Sequence, residues 1–439
     1  MKLFLSFLAG SALSESFEGH KLVKINADAR ENFHFDLLKN SRVFDENKEE
    51  VRMLISPKDF KKFEKLVKIQ GADYQVLQEN VQSLIDADLE KRAARKFESP
   101  ANYAYNEYLD FDEWQDWLDH VTTNHPNEIS PQIFGYTVEN RPITGLAIPA
   151  IPDPNKPNIV VDCGIHAREW ISPAMCRLFI HELMKCSEEH NYDNKGSKNL
   201  EIFFSPEKRC DPTIRDEFMQ LYNWWVIPIY NPDGYAYTWS DNRMWRKNRS
   251  SSVNGQCLGT DLNRNADIAW GTEGASSNTC SETFHGDAPN SEKETQAAMA
   301  ALEFINNYTN NGKIHAYVSL HSYSQIIISS YAVSKNVYPQ DPKNLNHMTR
   351  AGGLVAEAMS SVHGLNYGYG QARDILYPSS GSTKDWMLDV YDVDMAWTWE
   401  LRDTGDFGFL LPADQIMPQW EEFQAGIVAL FKYCRDYLN

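Results

Sequence analysis

Four stretches constrain this chain more than anything else in it: "NIVVDCG", "NWWVIPIY", "KIHAYVSL" and "DMAWTW". Each is a near-continuous apolar run, the pattern of a strand covered on both faces. Each is followed at once by a polar cluster, in order "IHAREW", "NPDG", "HSYSQ" and "ELRDTG". Open α/β sheets gather their sites at the carboxyl ends of strands. The runs therefore predict an α/β fold in which four strands deliver polar side chains to one shared site. The 439 residues, 42% of them hydrophobic, suffice for one large core and a smaller one. Length alone suggests two or three domains.

The N-terminus, "MKLFLSFLAGSALSES", has one lysine, a short apolar run and then small residues. That is the layout of a secretory signal peptide, here residues 1–16. The run from Leu3 to Leu13 is too short to cross a bilayer, which takes about 20 residues. No later stretch is long and apolar enough either, so a secreted, extracellular protein without a membrane anchor is expected. Seven cysteines fit an oxidising compartment. Nearest-neighbour pairing would join Cys163 to Cys176, Cys186 to Cys210 and Cys257 to Cys280, leaving Cys434 over, but spacing alone leaves other connectivities open. Asn248 and Asn307 lie in glycosylation sequons. A net charge of −19 argues against a general nucleic-acid binder.

Residues 17–96 differ from the rest. "HKLVKINA", "VRMLIS" and "DYQVLQEN" read as strands. "ARENFHFDLLKN", "PKDFKKFEKLVKIQG" and "VQSLIDADLEKRAARK" read as helices, the second begun by proline and ended by glycine. This is a small α+β unit without cysteine. Its end carries Lys91, Arg92, Arg95 and Lys96, which suit cleavage by a trypsin-like protease between a pro-segment and a mature enzyme spanning 97–439.

The chemistry starts with His166 and Glu169, three residues apart and able to share one face of a turn. A catalytic zinc needs a third protein ligand and an open position, and His321 at the end of its strand is the best candidate. His315, on the same strand face, reads as a core or surface residue. Glu400 follows an apolar strand and can serve as a base. Arg168 and Arg246 can stabilise an oxyanion. Asn263 and Arg264 of "DLNRN" suit bidentate capture of a carboxylate, and Asp261 can orient a ligating histidine.

"GIHAREWISP", "NPDGYAYT", "NRMWRKNRS", "GTDLNRN", "IHAYVSLHSYSQ" and "ELRDTGDFGFLLP" together resemble the pancreatic-type zinc metallocarboxypeptidases in proenzyme form. The resemblance covers almost the whole chain after the signal. It implies a mixed, mostly parallel β-sheet with helices on both faces, preceded by a small open-sandwich pro-domain over the active-site mouth. It implies one zinc ion on His166, Glu169 and His321, Glu400 as the catalytic glutamate and Arg246 as the arginine polarising the scissile carbonyl. Asn263, Arg264 and Tyr377 match the clamp on the substrate's C-terminal carboxylate, Arg168 and Tyr323 the outer subsites, and Asp261 a partner of the first histidine. The pairs Cys257–Cys280 and Cys163–Cys176 match disulfides of the family. Implied partners are peptides with a free C-terminus, an activating trypsin-like protease and proteinaceous carboxypeptidase inhibitors, with a monomer as the default and the digestive lumen as one setting. Two departures stand out: a long segment holding Cys186 and Cys210, and one extra residue between Trp386 and Glu400.

In the family, the residue before "DW" lies at the base of the pocket for the terminal side chain. Here it is Lys384, in "ILYPSSGSTKDW". A cation there favours C-terminal Glu or Asp and disfavours Lys and Arg. The other matched pocket positions, Ala372, Ser379 and Ser382, are small. The alternatives are preference for aliphatic or aromatic ends, another zinc amidase such as a deacylase, and a secreted binding homologue without activity.

Overall fold

The computed structural model describes residues 15–26, 38, 40–46, 50–95, 99–185, 212–253, 255–309 and 312–438. Most of the signal segment and of the helix expected in "ARENFHFDLLKN", Lys96 and the Cys186–Cys210 pair lie outside the described residues. The chain forms two compact units, one of residues up to Glu98 with Ala236–Trp245, the other of Ser99–Tyr235 with Arg246–Asn439.

In the first unit, β1 (Lys21–Asn26), β2 (Arg42–Glu46), β3 (Glu50–Ile55) and β4 (Tyr74–Gln78) form a sheet in the order β2-β3-β1-β4. Helices α1 (Phe60–Ile69) and α2 (Val81–Arg95) complete it. Phe63 and Val67, four apart on α1, bury against Val23, Ile25, Val51 and Met53. Strand β2 has no counterpart in the sequence reading; "RVFDE" is short and half polar.

The second unit is built on an eight-stranded sheet, ordered β11-β10-β12-β9-β7-β8-β6-β5. Its strands are β5 (Ser130–Tyr136), β6 (Pro142–Ile148), β7 (Asn158–Cys163), β8 (Asn223–Ile227), β9 (Ile314–Ser322), β10 (Ile326–Ser329), β11 (Gly368–Gln371) and β12 (Met395–Leu401). The four central strands, β12-β9-β7-β8, run parallel and correspond to the four apolar runs. The outer strands β5, β6 and β10 join antiparallel, which makes the sheet mixed.

The helices are α3 (Phe111–Asn124), α4 (Ile171–Lys185), α5 (Pro212–Leu221), α6 (Pro232–Ser240), α7 (Lys293–Tyr308), α8 (Leu345–His363), α9 (Ala372–Ile375), α10 (Thr383–Val390) and α11 (Ile416–Tyr437). Neighbouring residues on a strand face opposite ways. Trp224 of β8 accordingly packs on Phe179 of α4, with ring centroids 5.4 Å apart, while Trp225 packs on Phe304 of α7 at 5.8 Å. Both faces of the sheet are thus covered, which is why its central strands lack polar alternation. Helix α3 starts where Asp110 caps Glu113 N–H at 2.8 Å and the Glu113 carboxylate accepts from Asp110 N–H at 2.9 Å.

Among the described residues two disulfides are formed, Cys163–Cys176 and Cys257–Cys280. The first ties the end of β7 to α4. Cys434 is buried and unpaired. His315 is a core residue: it lies 3.2 Å from the Tyr222 hydroxyl, and burial pushes its pKa down to about 4.

Candidate active site

The site grows from the carboxyl ends of β7, β9 and β12. After Cys163 the chain turns at Gly164, whose φ of 69° is left-handed. A Cβ there would sit 3.0 Å from Pro173 Cγ, so glycine suits this turn on two counts. The turn carries His166 and Glu169 to the top of the sheet. His321 is the second-to-last residue of β9, and Glu400 lies beside it in the parallel ladder with β12.

His166, Glu169 and His321 are all buried, and their ligand atoms lie within 4.8 Å of one another. Their tautomers follow from their outer partners. His166 Nε2 lies 3.1 Å from Asp261 Oδ1, and a carboxylate can only accept, so Nε2 carries the proton. His321 Nε2 lies 3.1 Å from Ser319 Oγ. That hydroxyl gives its own proton to Asp162 Oδ1 at 2.6 Å, so it accepts from His321. Both Nδ1 atoms are left as lone-pair donors, 3.1 Å apart. Glu169 Oε1 is 2.8 Å from His166 Nδ1, and Oε2 is 3.2 Å from His321 Nδ1. Such a gathering of electron-rich atoms is repulsive without a cation among them. Two imidazoles and one carboxylate are a donor set that suits zinc and leaves a coordination position open.

Asp261 links this cluster to the arginines. It is fully buried, and its Oδ2 accepts from Arg246 Nη2 at 2.9 Å and Nε at 3.2 Å. Its Oδ1 also accepts from Asn263 N–H at 3.0 Å. Burial would raise the Asp261 carboxyl, but the Arg246 guanidinium overrides it and holds the group well below the usual range. Burial works against the Arg246 cation too; Asp261 and Glu169 outweigh it and push its pKa up. Both therefore stay charged. Arg264 donates from Nε to Gly274 O and from Nη1 to Asn263 O, each at 2.8 Å, which fixes its guanidinium plane.

The segment around Lys384 is joined to this network. Thr383 N–H donates to Asn263 Oδ1 at 3.0 Å. Gly381, at φ 69°, passes so close to Arg264 that an added Cβ would lie 2.2 Å from its carbonyl oxygen. Any side chain there would push the two loops apart. Lys384 is 3% exposed, so it is not a solvated surface lysine. Its Nζ lies 2.7 Å from Asp385 Oδ1 and 3.5 Å from Ser382 Oγ. Burial lowers its pKa, and Asp385 offsets only part of that. Tyr377 is half exposed at 50%.

Arg168 and Tyr323 meet through a third residue. The Arg168 guanidinium lies 4.1 Å from the centre of the Phe409 ring, and Tyr323 packs edge-on to that ring at 5.0 Å. Arg168 Nη1 also lies 3.3 Å from Glu282 Oε2. The structure thus brings most of the sequence-named residues into two connected groups, with Glu400 set beside His321 by the strand register. One joins His166, Glu169, His321, Arg246, Asn263, Arg264 and Lys384; the other joins Arg168 and Tyr323.

Sequence reasoning missed Phe409, Glu282, Asp385 as the partner of Lys384, and the Asp162–Ser319 support of His321. Ser319 had a signal, since it lies two residues before His321 on the same strand face. Glu282 had none.

Comparison with known proteins agrees with this geometry. Residues 114–426 match the model of the zinc carboxypeptidase family. The chain belongs to the zinc carboxypeptidases. Residues 22–88 match the carboxypeptidase activation peptide, so this zinc carboxypeptidase is of the zymogen type. It is 34% identical to carboxypeptidase B of Bos taurus over 437 residues, covering 97% of this chain and 95% of the relative. The crystal structure of thrombin activatable fibrinolysis inhibitor matches with a TM-score of 0.81 at 27% identity, over 96% of this chain and all of that one. The bovine form of that protein, solved in complex with tick carboxypeptidase inhibitor, matches with a TM-score of 0.63 at 32% identity, over 76% of this chain and 99% of that one. As a family member the enzyme uses zinc, and the His166–Glu169–His321 cluster offers a donor set for it. No helix among the described residues is long and apolar enough to cross a membrane.

Proposed function

We propose that the chain is a secreted zymogen that, once cleaved after its pro-segment, removes C-terminal Glu or Asp from peptides. In this reading 1–16 is the signal, 17–96 the pro-segment and 97–439 the mature enzyme. The observation that carries the substrate preference is the buried Lys384, joined to the Asn263–Arg264 loop through Thr383.

The terminal carboxylate of the peptide docks on Arg264 and Asn263, with Tyr377 closing over it. An internal peptide bond offers no such carboxylate, so docking enforces trimming from the end. Arg246, held by Asp261, presents a fixed guanidinium to the scissile carbonyl and stabilises the negative charge that develops there. Glu400 takes a proton from the attacking water and passes it to the leaving amine. His166, Glu169 and His321 would hold the zinc, which supplies Lewis acidity towards the carbonyl and the water. Arg168, Tyr323 and Phe409 contact residues further up the peptide. The buried Lys384 ammonium faces the terminal side chain. An acidic side chain shares that cation with Asp385, while a basic one meets like charge in a poorly hydrated pocket.

A second reading has one observation in its favour. Asp385 already balances the Lys384 charge, and a neutral pair lined by Ala372, Ser379 and Ser382 also admits an apolar side chain. Matched peptides ending in Glu, Phe and Arg, assayed after activation, separate the two. Faster release of Glu supports the acidic reading. Faster release of Phe supports the second reading, and faster release of Arg overturns both. Proteinaceous inhibitors belong among the expected partners, because a similar protein has been solved with one.

A further inference from the structure

The two glycosylation sequons have opposite surroundings. Asn248, in "NRS", is completely buried. Its Nδ2 donates to Glu292 Oε2 at 2.7 Å and to Glu294 Oε2 at 3.0 Å, and its Oδ1 accepts from Thr260 N–H at 2.7 Å. Every polar atom of this amide is committed inside the fold. A sugar on Nδ2 would break both carboxylate contacts and leave Glu292 and Glu294 buried without a shared donor.

Asn307, in "NYT", lies in the last turn of α7, and its side chain is exposed. Next to it, Tyr308 is 38% exposed. The third residue, Thr309, is buried, with its hydroxyl donating to Ile305 O at 3.0 Å. That burial is no obstacle, because attachment takes place on the chain before it folds. The position also suits the enzyme. Helix α7 leads into the start of β9 at Ile314, whereas His321 lies near the other end of that strand. At about 3.3 Å per residue, β9 alone puts more than about 20 Å between the two ends. A glycan at Asn307 therefore sits at the foot of the sheet and leaves the site at its top open.

We propose that Asn307 carries an N-linked glycan in the folded, secreted protein and that Asn248 does not, because a chain modified at Asn248 before folding could not complete the buried contacts of that amide and would not be secreted. The proposal rests on the reading that the chain enters a secretory pathway. The oligosaccharide comes from a lipid pyrophosphate donor. Asn307 Nδ2 bonds to the anomeric carbon, the bond from that carbon to the pyrophosphate oxygen breaks, the lipid pyrophosphate leaves with the electron pair, and one amide proton is lost.

The test is expression of the full chain in a eukaryotic secreting cell, followed by peptide:N-glycosidase treatment of the protein in the medium and peptide mass mapping. The expected result is one step down in apparent mass, with conversion to aspartate at position 307 and none at 248. Asn307→Gln should remove the step and leave peptidase activity after activation unchanged. Secreted protein unmodified at 307, or modified at 248, overturns the proposal while leaving secretion intact. Protein kept in the cell with residues 1–16 still attached overturns both.

Discussion

Replacing Asp261 with asparagine should weaken zinc binding, and the size of the effect follows from its contacts. The two oxygens of Asp261 serve different customers: Oδ1 accepts from His166 Nε2 and Asn263 N–H, and Oδ2 from two nitrogens of Arg246. All of these groups are donors. Asparagine keeps one acceptor and introduces two N–H donors, so whichever way it turns, one side meets donor against donor. If its oxygen faces Arg246, the imidazole loses the anion that orients it and raises its basicity. Loss of such a partner typically costs 10 to 100-fold in metal affinity, about 1.4 to 2.7 kcal/mol. If the oxygen faces His166, the buried Arg246 cation loses its partner, at about 3 to 5 kcal/mol of stability. The first orientation costs less and should dominate. The assay is competition for zinc between the activated enzyme and a chelator, run on wild type, Asp261→Asn, Ser319→Ala and the double variant. Ser319 backs His321 with a neutral hydroxyl, so its removal should cost less than that of Asp261. An Asp261→Asn enzyme that holds zinc within about threefold of wild type would refute the reasoning, because the lower bound for losing such a partner is about tenfold.

Four further outcomes are expected. Glu400→Gln should abolish turnover while zinc content, measured by atomic absorption, stays at one per chain; substantial residual turnover removes Glu400 from its assigned role. Lys384→Asp should reverse the preference between peptides ending in Glu and in Arg, read as a ratio of kcat/KM values. Full-length protein should be nearly inactive on a large peptide until trypsin cuts near Arg92–Lys96, which electrophoresis and a before-and-after assay will show. Glu294 gives a pH signature. Burial raises its pKa to about 7 from an ordinary 4.5, and its Oε1 has no hydrogen-bond partner among the described residues. A folded-state pKa above the unfolded one means that the stabilisation is complete below about 4.5 and is lost as pH rises through about 7. Thermal melts of Glu294→Gln should therefore show a flatter fall in stability between those values, and a wild-type slope would count against the assignment.

The central architecture was legible because both faces of β7, β8, β9 and β12 are covered, and a strand buried twice over advertises itself as an unbroken apolar run. The outer strands β5 and β11 carry glycine, proline or exposed positions, and β10, though apolar, is only four residues long, so none gave such a signal. Within the site, His166 and Glu169 were found because they are neighbours in sequence on one turn, and His321 because it ends an apolar strand. Recognition of the family motifs supplied the remaining role assignments. Contacts that depend on two distant loops meeting, such as Arg168 with Glu282 or Gly381 with the Arg264 carbonyl, leave no trace in local pattern. Lys384 falls between these cases. Its position in a motif singled it out, but nothing in the motif foretold that Asp385 would take up part of its charge.

The register between β9 and β12 has a consequence for how much change this enzyme can absorb. Glu400 stands directly beside His321 across a parallel ladder, so the backbones that carry the proposed proton carrier and the proposed metal ligand are one strand spacing apart, about 4.8 Å. A ruler of that kind is indifferent to loop length. Segments can grow or shrink elsewhere along the chain while these two backbone positions keep their distance.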